Sequence, residues 1–470
     1  MTTFEYSFLK VEGERVVDGK GRDTILRGAG LGGWMNMENF ITGYPGQENQ
    51  HRAAMLEVLG PEKYEYFFDK WLEYFFMEED AKFFASVGMN CLRIPFNYHH
   101  FEDDMNPRVL KKEGFKHLDR VINLCAKHGI YTILDLHAVP GGQNPDWHSD
   151  NNTNSAYFWD YKDFQDRVVW LWEQLAEHYK DYTCIAGYNP LNEPCDPKHT
   201  RLPAFYDRVE KAIRAVDRNH ILWLDGNTFA IDFKAFKHTL PNCVYSLHDY
   251  ALMGFPTGER YTGTPHQNQK LESQFLRKAE FMYTNKVPIW NGEFGPVYSS
   301  DGPGSEEIND ERFNLLGQQL RIYDKYKVSW SIWLYKDIGV QGMVYTSPES
   351  PWIKTLKPFL EKKKALQADA WGLYPSEEID QIFKPLVAWV EKNSPDAANK
   401  YPDTWAVKRH VSRLVKECLL SETLSMEFAR YFEGMTFDQL DAMAESFSFR
   451  SSKQREGLNR ILREHSGIVD

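Results

Sequence analysis

Six cysteines in 470 residues are too few for a disulfide scaffold, and no two of them form a C-x-x-C pair. A chain this long can hold a core without cross-links, so Cys91, Cys125, Cys184, Cys195, Cys243 and Cys418 read as free, mostly buried thiols. Long apolar runs are missing too. No stretch approaches the roughly 20 residues that cross a bilayer, so no membrane span is expected. The start, MTTFEYSFLKVEGERVV, has no basic segment leading into an apolar run and a small-residue cleavage site, and reads as cytoplasmic. There is no surplus of positive charge: Lys and Arg number 55 against 67 Asp and Glu, a formal charge of −12. That argues against nucleic acid or an anionic membrane as the main partner. No internal repeat or low-complexity segment is present.

What is present is ample apolar material. Hydrophobic residues make up 42% of the chain and aromatics 15%. Between about 24 and 365, short apolar runs alternate with longer amphipathic segments. The runs are TILRGAGLGGW (24–34), MNCLRIPF (89–96), YTILDLH (131–137), IAGYNPLNEP (185–194), ILWLDGN (221–227), CVYSLHDY (243–250), PIWNGEFG (288–295) and VSWSIWLYK (328–336). Helical periodicity fills most of the intervals, clearly at 64–88, 115–128, 164–179, 203–217, 268–284 and 309–325, with a brief helix expected near 231–237. Eight strands in βα alternation imply a parallel sheet, and the length suits a closed (β/α)8 barrel over 1–365. An open doubly wound sheet is the alternative. It would need a helix directly after the glycine-rich turn GAGLGG, where WMNMENFITGYPGQ reads as loop. From 366 to 470 the strand-like runs stop and charged amphipathic helices take over, with Thr436 and Ser451 as candidate N-caps. This extension is expected to pack on the outside of the barrel; the alternatives are that it walls one end of the site or mediates assembly. The oligomeric state cannot be read from the sequence.

In such a barrel the reactive groups project from the C-terminal strand ends. Polar residues recur there: Arg93, His137, Asn192 and Glu193, His248 and Tyr250, Glu293, and Trp333. Two carboxylates from different strands suit glycosidic cleavage, where one acid protonates the leaving oxygen while the other attacks or activates water. Arg93 and Tyr250 are placed to hold the Glu293 carboxylate as a nucleophile. Glu193 has no cation in its own segment, which suits a proton donor. Asn192 is placed to bond a sugar 2-hydroxyl.

The motifs N-P-L-N-E-P (189–194) and W-N-G-E-F-G (290–295) resemble the acid/base and nucleophile motifs of glycoside hydrolase family 5, a clan A (β/α)8 family. G-M-N-C-L-R-I-P (88–95), D-L-H (135–137), H-D-Y (248–250) and W-S-I-W (330–333) match in order across about 24–340. The resemblance implies a retaining β-glycoside hydrolase with no cofactor and no metal. Arg93, His137, Asn192, Glu193, His248, Tyr250, Glu293 and Trp333 would form its site, with Trp333 as a platform under the sugar. G-A-G-L-G-G-W-M-N-M-E (28–38) and D-L-H-A-V-P-G-G-Q-N (135–144) resemble the exo-β-1,3-glucanase branch. This implies that Glu38 and Asn144 hold hydroxyls of a terminal glucose. Diglycosidase and glycolipid β-glucosidase activities share that resemblance.

Other classes make different demands. A catalytically inactive sugar-binding barrel is expected to have lost one glutamate, and both are present. A metal-dependent hydrolase would have to gather His99, His100, His137 and His248. A transglycosylase differs only in its acceptor. Among the aromatics near strand ends, Trp34, Tyr98, Trp147, Phe158, Trp159 and Tyr298, one or two are expected to stack on substrate.

Overall fold

The computed structural model describes residues 4–299, 304–368, 371, 376–394, 396 and 406–467. Eight parallel strands close into a barrel: β1 (Arg27–Gly30), β2 (Cys91–Asn97), β3 (Tyr131–Ala138), β4 (Ile185–Asn189), β5 (Ile221–Asp225), β6 (Cys243–His248), β7 (Ile289–Glu293) and β8 (Ser329–Ile332). β8 pairs with β7 on one side and β1 on the other, which completes the ring. Six of the strands lie inside their apolar runs, and β2 and β3 run one residue past theirs, to Asn97 and Ala138. Barrel strands are covered on both faces, so every residue of β2 and β3 is buried, and such strands read as continuous apolar runs without alternation. The amphipathic segments form the outer helices, among them Gly114–Lys127, Lys162–Tyr179, Leu202–Val216 and Ser305–Lys325.

The N-terminal hairpin Lys10–Glu12/Arg15–Val17 stoppers the bottom of the barrel. Leu9 and Val16 pack into one apolar cluster with the inward residues Ile133, Trp223 and Trp290. The top is therefore where solvent reaches the strand ends.

The glycines of GAGLGG are positions of close packing. A Cβ on Gly30 would lie 2.5 Å from the ring of Trp333, and one on Gly32 would lie 2.6 Å from it. Only bare backbone lets that indole lie flat across the barrel mouth. The helix expected near 231–237 is absent. A four-residue turn, Asn227–Ala230, stands just before it, with Thr228 and Phe229 in left-handed conformation. Phe233 and Phe236 have helix-like spacing, but they bury themselves as a loop: Phe233 stacks on Phe281 at 5.3 Å.

The region after 366 is mostly helical but not wholly so. Thr436 does cap a helix, Phe437–Glu445, accepting from the Gln439 N–H. Ser451 caps nothing. It ends a short 3-10 turn, and Ser452–Gln454 pairs antiparallel with Val344–Thr346, whose edge was open. The region packs partly on the long helix Glu48–Phe75, where Tyr66 and Tyr74 donate to Asp441 at 3.1 Å. A buried Lys336 ties it to the barrel, donating to Asp80 at 2.6 Å and to the carbonyls of Phe75 and Phe447 at 2.8 Å.

His51 sits at this junction, stacked on Tyr44 at 4.4 Å and edged by Phe68 and Phe428. Neither ring nitrogen has a hydrogen-bond partner among the described residues. Burial, with Arg52 adding to it, pushes its imidazole down to about 3. The unfolded chain takes up this proton near pH 6.5 and the native chain does not, so the stability it contributes is complete above pH 6.5 and is lost as pH falls toward 3. About 3 kcal/mol should disappear between pH 6.5 and 4. Thermal unfolding of His51→Phe should show a shallower acid decline than wild type; equal slopes would contradict this reading of His51.

Candidate active site

β7 ends in Glu293 and β6 in His248, and the two residues are register partners. Glu193 lies four residues past β4, in left-handed conformation with φ 45°. That conformation costs a side-chain-bearing residue on the order of 1 kcal/mol. It is held by the Glu193 N–H donating to Asp225 at 2.9 Å, at the end of β5. One carboxylate oxygen each from Glu193 and Glu293, and a ring nitrogen of His248, lie within 4.8 Å of one another.

Beneath Glu293 a buried network fixes its position. Arg93 donates to Glu293 Oε1 through Nη1, and to Asn189 (3.1 Å) and Asn192 (2.6 Å) through Nη2. Nη2 also pairs with Asp135 at 3.1 Å. Tyr250 donates to Glu293 Oε2 at 3.0 Å. Asp135 holds His137 Nδ1 at 2.7 Å, and the His137 ring stacks parallel to Trp333 at 5.5 Å. Burial keeps His137 neutral, well below its usual range.

Glu193 has no cation in its own segment, but two imidazoles from distant segments face it. His248 Nδ1 stands 2.6 Å from its Oε1, and His148 Nε2 stands 3.1 Å from its Oε2. Burial alone would raise this carboxyl, but the two imidazoles outweigh it and hold it below the usual range. Burial would likewise depress His148, yet Glu193, Glu38 and Asp146 lift it to about 9. His248 is also raised, by Glu293, Glu193 and Asp225 against burial. The proton of this cluster therefore rests on the histidines, one hydrogen bond away from Glu193.

A cleft of about 790 Å³ opens above these groups. Of the residues singled out in the sequence, Glu38, His137, Glu193, His248, Tyr250, Glu293 and Trp333 line it. Arg93, Asn144 and Asn192 lie behind its surface. Asn144 was expected to touch sugar, but its amide is buried and faces inward, donating to the Glu193 carbonyl at 3.0 Å and standing 2.8 Å from His148 Nε2. Glu38 accepts from Trp147 at 3.1 Å through Oε2, and its Oε1 is buried without a hydrogen bond among the described residues. Burial lifts its carboxyl to about 8, so near neutral pH it can both donate to and accept from a hydroxyl. Of the six strand-end aromatics, Trp147 lines the cleft. His99 is bound to Asp104 at 2.9 Å, apart from His137 and His248, so the four histidines of the metal-hydrolase alternative do not converge.

Several cleft residues were not singled out in the sequence: Phe40, His148, Phe229, Phe255, Trp371, Lys408, Arg409 and Arg413. His148 follows Trp147 and stands four residues past Asn144, so the loop after β3 carried a usable signal. Trp371 and the cations from 408 onward belong to the C-terminal extension, which thus forms one wall of the cleft. Arg413 pairs with Asp146 in the loop that carries His148, clamping that loop from outside the barrel.

The family model described as Cellulase (glycosyl hydrolase family 5) matches residues 54–339. A protein of Phanerodontia chrysosporium named beta-xylosidase is 54% identical over 472 residues, covering 98% of this chain and 99% of that one. The probable glucan 1,3-beta-glucosidase A of Aspergillus clavatus is 25% identical over 360 residues, 68% of this chain and 84% of that one. The crystal structure of an endogalactoceramidase matches with a TM-score of 0.54 at 16% identity, over 76% of this chain and 78% of that chain, a likeness of fold.

Proposed function

The chain belongs to glycosyl hydrolase family 5, and from that premise we propose that it is a retaining, exo-acting β-glycosidase that releases a terminal xylosyl or glucosyl unit. The approach of the Glu193 and Glu293 carboxylates to within 4.8 Å carries this reading. Retaining chemistry uses carboxylates about 5–5.5 Å apart, whereas inverting chemistry needs about 6.5–9.5 Å to admit a water. In the first step Glu293 attacks the anomeric carbon. The glycosidic bond breaks, and its oxygen leaves with a proton that Glu193 relays from the imidazolium bonded to it, His248 or His148. In the second step Glu193 takes a proton from water, the oxygen of which attacks the same carbon and frees Glu293. Trp333, flat across the barrel mouth, supports the sugar from below, and Glu38 with Trp147 engages its hydroxyls. The aromatic box of Phe40, Trp147, Trp333 and Trp371 crowds the cleft, in keeping with a single terminal residue.

The name of the 54% relative favours a xyloside, and that of the Aspergillus relative a glucoside. Turnover of 4-nitrophenyl β-xyloside and β-glucoside by the purified protein, with product analysis on β-linked oligosaccharides, tests the proposal. Release of monosaccharide from the non-reducing end is expected. Internal fragments, or no turnover of any β-glycoside, would overturn it.

His148 gives the acid a second proton reservoir. In His148→Gln the cluster should lose its proton at lower pH, because the group lifted to about 9 is gone. The alkaline limb of kcat/KM should move down by about one pH unit, and kcat/KM should fall about tenfold. An unmoved alkaline limb would exclude this role.

A further inference from the structure

The outer part of the cleft is cationic and apolar, in a chain whose overall charge is −12. Arg277 approaches from the helix Pro265–Lys278, and Lys408 and Arg409 from the helix Val407–Ser412. Two neighbouring cations are already matched. Arg413 holds Asp146, and Lys278 holds Asp249 at 2.7 Å. Arg277 and Lys408 are exposed and have no ion pair among the described residues. Asp380, whose field reaches Lys408, is itself paired to Lys384 at 2.8 Å. Arg409 makes one long contact, 3.4 Å to Asp146, and lies 5.3 Å over the ring of Phe229. Between these cations the cleft is lined with apolar groups that stay in water: Leu252 is 79% exposed and Ile231 43% exposed, beside Phe229 and Phe255.

Exposed apolar side chains beside unmatched cations form a surface that suits a ligand with the same two halves. The catalytic carboxylates lie deeper in the same cleft, so whatever occupies this outer part is joined to the sugar through the scissile oxygen. We propose that it is an aglycone site for an aromatic group carrying a carboxylate, so that the preferred substrates are β-glycosides of hydroxy-aromatic acids. This rests on the β-glycosidase reading above and extends it to the leaving-group side. Phe229, Phe255 and Leu252 receive the ring, and Arg277, Lys408 and Arg409 the carboxylate.

The test compares kcat/KM for the 4-carboxyphenyl β-glycoside and its methyl ester, on whichever of xylose or glucose is turned over faster. The ester is the better leaving group, so a preference for the acid cannot come from bond-breaking chemistry. Two or three exposed charge contacts should favour the acid about fivefold to tenfold, mainly through KM. The ratio should shrink toward one in about 0.5 M salt, where the screening length falls to a few ångströms. In Arg277→Glu/Lys408→Glu, shown to be folded by its thermal unfolding, the ratio should drop below one. An acid-to-ester ratio of one or less in the wild type, or a ratio the double variant leaves unaltered, overturns the inference while ester turnover leaves the β-glycosidase reading standing. No turnover of either compound on either sugar overturns both.

Discussion

Glu293→Gln should lower kcat/KM on an aryl β-glycoside by on the order of 10⁴-fold or more, because an amide cannot form the covalent glycosyl intermediate. The substitution keeps the side chain's size, so Tyr250 retains an acceptor and the barrel keeps its shape. Arg93 loses one of its partners but keeps Asp135, Asn189 and Asn192. The loss should therefore fall on turnover, with binding and folding little changed. Substrate affinity by calorimetry and thermal unfolding separate the two. An unfolded variant would say nothing about the nucleophile, whereas a folded variant that binds and hydrolyses normally would remove Glu293 from the reaction.

Removing Glu193 should give a different signature. In Glu193→Ala, hydrolysis of glycosides with poor leaving groups should fall about 10²- to 10⁴-fold, the worth of a positioned proton donor. A dinitrophenyl glycoside, which leaves without protonation, should still glycosylate Glu293. Breakdown of that intermediate would then lack its base, so a burst of dinitrophenol followed by slow turnover is expected. Azide needs no deprotonation and should restore turnover, giving a β-glycosyl azide. No burst, or an α-configured azide product, would contradict the assignment. The variant also leaves two buried imidazolium groups facing each other without their shared carboxylate. Its stability should fall as pH drops and the histidines charge.

The barrel was legible because its signal is local. Each strand is a short apolar run bounded by turn residues, and each long helix carries its own period. The Glu293–Tyr250 contact could also be anticipated, since both stand at or beside ends of neighbouring strands; Arg93 was expected at the end of β2 but stands third in that strand, which runs on to Asn97, and reaches Glu293 from below. The surroundings of Glu193 could not. His148 comes from a loop 45 residues upstream and His248 from a strand 55 residues downstream, and nothing in N-P-L-N-E-P announces either. Asn144 carried the right position but the wrong partner, because a motif does not show which way a buried amide faces. The C-terminal extension was legible as helix, with a place in the cleft wall only as an alternative to packing on the outside of the barrel. Periodicity shows that a helix has an apolar face, not what that face meets. Placing Trp371 and Arg409 in the cleft required the fold itself. Gly30 and Gly32 of GAGLGG are explained by the indole of Trp333, three hundred residues away in sequence.

Double displacement at the two carboxylates fixes the anomer that is released. Proton NMR of the first sugar released from an aryl β-glycoside, read before mutarotation, tests this directly. The β-anomer should appear first, with the α-anomer growing in only as the free sugar equilibrates. If the α-anomer appears first, a water stands between the carboxylates and Glu293 is not the nucleophile.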